Sequence, residues 1–131
     1  MCKVAIVKCD TYEVQDVKNA ILKGINLIGF ELDRKDCVLV KPNLLMKKRP
    51  EDAVTTHPAV VQATVEVIKE KANRIIIADS PGGPYTKKRL ESIYQAAGIK
   101  ELEKLENVYL NYDTSYEDLD VENTAFKKLS L

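Results

Sequence analysis

An excess of charge is the first thing the chain lacks: 20 lysines and arginines stand against 20 aspartates and glutamates, for a formal net charge of +0 at pH 7. A balanced chain carries no basic footprint for a phosphate backbone or an acidic bilayer surface, so neither nucleic acid nor a membrane is expected as a partner. Long apolar runs are missing too. Residues 4–7 (VAIV) and 75–78 (IIIA) fall far short of the ~20 residues that cross a bilayer, and no charged-then-apolar leader precedes Lys3. A cytoplasmic location is the expectation.

Metal-ligating residues are scarce. Cys2, Cys9 and Cys37 match neither a zinc knuckle nor an iron–sulfur ligand run, and His57 is the single histidine, so no metal site and no cofactor is expected of this chain. If Cys9 ends one strand and Cys37 begins a parallel neighbour, about four residues of ~3.3 Å rise separate them, too far for a disulfide. Reduced thiols follow, with a reactive role for Cys9 as the alternative, since it sits where a strand gives way to a loop. Neither the P-loop sequence nor the dinucleotide glycine fingerprint is present.

What is there is globular. A chain of 131 residues, 45% hydrophobic and 31% charged, suits one domain over residues 1–131. It can bury roughly 65–70% of its unfolded surface without a staple.

Residues 3–9 (KVAIVKC) form a continuous apolar run of the kind found in a strand covered on both faces. Asp10 with Glu13 offers an N-cap and its reciprocal partner, and Val14, Val17, Ile21, Ile25 and Ile28 then recur at helical spacing up to Gly29. Gly24 inside that helix implies close packing or an interruption. Residues 37–41 (CVLVK) form a second buried-type strand, stopped by Pro42. Thr55, Thr56, His57 and Pro58 open another helix, with His57 at the cap and Val60, Val61, Val65, Val67 and Ile68 as its apolar surface. Residues 74–79 (RIIIAD) form a third strand broken by the SPGGP run. Leu90, Ile93, Tyr94 and Ala97 mark a helix closed by Gly98. Residues 108–112 alternate as a fourth strand with one wetter face. Residues 113–122 hold five acids and no cation, which reads as a solvated loop rather than a metal site, and residues 124–131 read as an edge strand.

This alternation predicts an α/β fold, a mainly parallel, Rossmann-like three-layer sandwich with about four to five strands and helices on both faces. Ligands of such sheets collect outside the carboxyl ends of the strands. The rule gathers Cys9 and Asp10, Lys41 to Asn43, and Asp79 to Gly83 on one edge, with the helix starts near Thr55 to His57 and Gly82 to Thr86 facing the same side.

Exposed first-turn amides, the Lys41 ammonium, the hydroxyls of Thr55, Thr56 and Ser80, and the open backbone of Gly82 and Gly83 point to an anionic small molecule bearing phosphate or carboxylate. Each residue also has a plain reading. Lys41 leaves the sheet for water; Asn43 caps the turn after Pro42; His57 is only a capping residue without a catalytic partner; Asp79 orients the Gly82-Gly83 turn. Lys87, Lys88 and Arg89 form a solvated face without interleaved aromatics.

The blocks VLVKPNLL (residues 38–45), TTHPAVVQATVEVI (55–68), IIIADSPGG (75–83) and YQAAGI (94–99), with the opening KVAIVKC, resemble the family named domain of unknown function 362. The resemblance implies that Lys41, Asn43, Thr55, Thr56, His57, Asp79, Ser80, Gly82 and Gly83 are its motif positions. It also implies a second half with its own lysine- and histidine-bearing motif and, in many longer members, a cysteine cluster for [4Fe–4S] centres. Neither occurs within these 131 residues, so the chain is expected to be an N-terminal portion, and an exposed sheet edge is expected to pair with another copy as a homo-oligomer. Three functions follow as expectations: the ligand-binding part of an incomplete enzyme acting on an anionic small molecule, the scaffold half of an iron–sulfur-linked redox protein, or a non-catalytic interaction module.

Overall fold

Three apolar stretches make a parallel sheet, each followed or preceded by a helix that covers it. The computed structural model describes residues 3–31, 33–116, 118–120 and 128–130. Their order is α1 (Val14–Ile28), β1 (Lys35–Val40), α2 (Pro58–Ile68), β2 (Ala72–Ile77), α3 (Lys87–Ala96), β3 (Val108–Leu110), β4 (Asp118–Asp120) and β5 (Lys128–Ser130), with 3-10 turns at Pro50–Asp52, Lys69–Lys71 and Lys100–Lys104. The main sheet has three strands in the order β1-β2-β3. Both pairings are parallel, with Val40 opposite Ile77 and Ile77 opposite Leu110. The fold class is therefore α/β with an open parallel sheet, three strands wide. β4 and β5 form a separate antiparallel pair.

The register sorts side chains by face. Val38, Val40, Ile75, Ile77, Val108 and Leu110 turn toward the helices and join Val61, Val65, Leu90, Ile93 and Tyr94 in one core. Ile75 and Ile77 are wholly buried, each contributing roughly 1.5–3 kcal/mol of apolar burial. On the other face Leu39 is 62% and Tyr109 48% exposed, and the Arg74 guanidinium lies over the Tyr109 ring. Among the described residues no helix covers that face, so the layers here are one of helices and one of strands.

Helix boundaries follow local chemistry. α2 begins at Pro58, with His57 as N-cap accepting from the Ala59 amide; α3 begins after Thr86, whose hydroxyl accepts from Arg89 N. Gly29 closes α1 in the left-handed region at φ 69°. Asp10 is not the cap expected for α1. It pairs with Lys8, the N-cap is Glu13 without a side-chain bond, and the Thr11 hydroxyl instead accepts from Glu13 N and donates to Asp16.

A second correction concerns residues 3–9. They are not a covered central strand: they carry no ladder, and Val4 is 83% and Ile6 92% exposed. An apolar run specifies a strand only where neighbouring strands exist to take its backbone groups, and here none of the described strands does. Gly24 nevertheless meets this segment, since a Cβ there would lie 3.8 Å from Val7. Cys9 and Cys37 are free and exposed, as reduced thiols should be; Cys2 lies outside the described residues. So does most of the expected edge strand 124–131, of which residues 128–130 pair with 118–120.

Candidate functional site

Because β1 and β2 are parallel and in register, the residues just past Val40 and Ile77 leave the sheet side by side. Lys41 Nζ donates to Asp79 Oδ1 at 2.6 Å, and the Leu44 amide donates to Asp79 Oδ2 at 2.8 Å. The Asp79 side chain is 5% exposed and that of Lys41 66%, so the carboxylate is the fixed member and the ammonium reaches it from solvent. Burial pushes the Asp79 carboxyl up. The Lys41 bond, the amides of Leu44 and Ser80 and the Lys41 charge outweigh that effect and hold it below the ordinary carboxylate range.

The loop after β1 is then tied across its own two ends and to the loop after β2. Asn43 N donates to Thr56 Oγ1 at 2.8 Å, and Thr56 N donates to Asn43 O at 2.8 Å, a reciprocal pair that fixes the entry to α2. Gly82 N donates to Leu45 O at 2.9 Å. Leu45 holds φ 38°, a left-handed value costing a non-glycine residue roughly 1–2 kcal/mol, and the strain lies where the two loops meet. Arg89 of α3 donates to Gly82 O at 2.7 Å. Two loops, the one between β1 and α2 and the one between β2 and α3, thus meet at the carboxyl edge of the sheet.

His57 lies at the N-terminus of α2. Its Nδ1 accepts from Ala59 N at 3.2 Å, which leaves Nε2 to carry the ring proton as a donor. Tyr12 stacks on it, with ring centroids 3.7 Å apart and 18° between planes. The Thr55 hydroxyl is buried without a hydrogen-bond partner among the described residues, and Ser80 is exposed.

The structure joins Lys41 to Asp79, Asn43 to Thr56 and Gly82 to Leu45, with Thr55, His57, Ser80 and Gly83 as immediate chain neighbours of these residues. The Asx-type role for Asp79 gives way to the bonds with Lys41 and Leu44. Three participants carried no sequence signal of this role: Leu45, Arg89, which read as part of a solvated face, and Tyr12. A period-two or helical pattern marks burial, and none of these three acts through burial.

Beside this edge Lys47 lines a hollow with Thr86, Lys88 and Arg89. Among the described residues no group of three or more histidines, cysteines, aspartates or glutamates is placed to hold a metal ion. No described helix is long and apolar enough to cross a membrane.

A parallel α/β sheet with two cross-bonded loops at its carboxyl edge defines the class. The chain belongs to the family described as Domain of unknown function (DUF362), matched over residues 38–131. It is similar to the thylakoid-associated protein sll1697 of Synechocystis sp. (strain ATCC 27184 / PCC 6803 / Kazusa), with 30% identity over 81 residues, 60% of this chain and 25% of that protein. The matched part thus spans about a quarter of the relative's length. No solved structure matches the chain.

Proposed function

We propose that the carboxyl edge of the sheet binds an anionic small molecule, a phosphate or carboxylate, as the charge-stabilising part of an enzyme. The observation that carries this reading is the Lys41–Asp79 pair, with the Lys41 side chain 66% exposed. Only one of the three ammonium hydrogens is engaged by Asp79, so the group retains donors for a ligand. His57 Nε2 supplies a neutral donor, and α2 directs the positive end of its dipole to this edge, while its first-turn amides are spent on His57 Nδ1 and His57 O. In this reading Asp79 is a positioning residue, since it holds Lys41 and the Leu44 amide. The free thiols of Cys9 and Cys37 suit a cytoplasmic home.

Thermal-shift titration with inorganic phosphate, nucleotides and small carboxylates tests the proposal. A true ligand at 100 times its Kd stabilises by ~2.7 kcal/mol. The reading fails if no anion shifts the melting temperature, or if Lys41→Ala gives the wild-type shift.

A further inference from the structure

Residues 3–9 look like a strand that has lost its neighbours. Ala5 and Val7 are half buried while Val4 and Ile6 are exposed, the alternation of an extended chain with one face on a helix. The segment runs opposite to α1, as the strand of a strand-helix unit does: Lys3 Nζ lies beside Gly29 and Val7 beside Gly24. No described strand pairs with it.

β1 offers a second open wall. Ala78 N donates to Val40 O at 3.1 Å, so Val40 and, by alternation, Val38 direct their backbone groups at β2. Those of Cys37 and Leu39 consequently face the unpaired edge. A hollow of about 380 Å³ lies between β1 and Val60, Val61 and Thr64 of α2. A second, of about 210 Å³, extends from the same Val60 to Val17 of α1 and residues 9–12. Helices in contact have axes ~8–10 Å apart, about twice the ~4.8 Å between strands. With residues 3–9 beneath α1 and β1 beneath α2, the interval admits one more strand. The stacked Tyr12 and His57 rings close it at the carboxyl edge of the sheet.

We propose that this slot takes one extended apolar strand from another polypeptide chain, paired with β1 through Cys37 and Leu39. The chemistry of the occupant follows from the walls. Bare N–H and C=O groups at strand spacing call for another backbone, and the valines above with Leu39 on the open face call for apolar side chains. A second copy has no spare strand among its described residues: β1 to β3 are in one sheet, β4 and β5 pair with each other, and residues 3–9 are themselves a wall.

Amide hydrogen exchange on the full chain tests this, with the synthetic peptide Lys-Val-Ile-Val-Ile-Val-Lys as probe. The amides of Cys37 and Leu39 should slow at least tenfold when the peptide is added, while those of Val38 and Val40 stay as they were. A peptide with proline at its centre should protect neither. Leu39→Pro removes only an outward-facing amide, so its circular dichroism should be preserved and the protection of Cys37 lost. Failure of the valine-isoleucine peptide to slow either amide, or equal slowing by the proline peptide, overturns the proposal. So does protection of both amides in the chain alone that rises with its concentration, which would give the slot to a second copy.

Discussion

Lys41 and Asp79, 38 positions apart in the chain, meet at 2.6 Å because parallel register brings the ends of β1 and β2 out of the sheet together. The carboxylate spends its two oxygens differently, one on an ammonium and one on the Leu44 amide at 2.8 Å. It therefore shapes the loop after β1 as well as holding the charge. An ammonium already paired in this way brings little net charge to the edge. In the proposed role its value would lie in being held still, with donors left over for a ligand.

Asp79→Asn should destabilise the fold by about 1–3 kcal/mol, the range for leaving a buried polar group incompletely satisfied. The folded-state carboxyl is held below its ordinary value, so its contribution is present above the unfolded value of ~3.9 and disappears as pH falls through the lower folded value. Urea midpoints of the two proteins should differ at neutral pH and converge in acid. A difference that stays constant down to the acid limit would refute the assignment.

The reciprocal bonds between Asn43 and Thr56 should make the entry to α2 and the loop after β1 one cooperative unit. Thr56→Val keeps the side-chain shape and removes the acceptor. It should cost about 0.5–1.5 kcal/mol and accelerate exchange of the Asn43 amide, with no change in the amides of β2. An unaltered Asn43 exchange rate would show that the two ends of this loop are independent.

The elements that the sequence announced are those whose signal is local. His57 as the cap of α2, Gly29 and Gly98 as helix stops, and the strands around Leu39, Ile76 and Tyr109 depend on spacing and on turn chemistry, which short windows contain. Loop convergence followed from the parallel-sheet rule. The partners did not: Asp79 with Leu44, Leu45 with Gly82 and Tyr12 with His57 are contacts across loops with no periodicity. Residues 3–9 failed differently. Their apolar run correctly indicates an extended backbone with a covered face, yet the strand neighbours it calls for are not among the described residues.

Gly83 has φ 91°, and a Cβ there would sit 2.8 Å from Arg89 Nη2, the guanidinium that bonds Gly82 O at 2.7 Å. Gly83→Ala should therefore lose about 1–2 kcal/mol from the backbone alone, and more by displacing Arg89. Combining it with Arg89→Ala isolates the second part. Thermal denaturation of both single variants and the double variant should show a double that is less destabilised than the sum, because the clash is removed together with the bond. Strict additivity would place Arg89 clear of the turn.

The Tyr12–His57 stack is what couples the residues before α1 to the carboxyl edge of the sheet. His57→Ala removes the side-chain cap and the stack, at a cost of about 0.5–2 kcal/mol for the cap. Tyr12→Ala removes the stack alone, and a double-mutant cycle between them should show a coupling of about 0.5–1.5 kcal/mol. His57→Asn divides the two roles further, since asparagine caps a helix without stacking on a ring. Its stability should fall between those of wild type and His57→Ala, and its coupling to Tyr12 should fall toward zero. If the asparagine variant kept the full coupling, Tyr12 would be held by backbone contacts near the start of α1, and the ring of His57 would serve the helix alone.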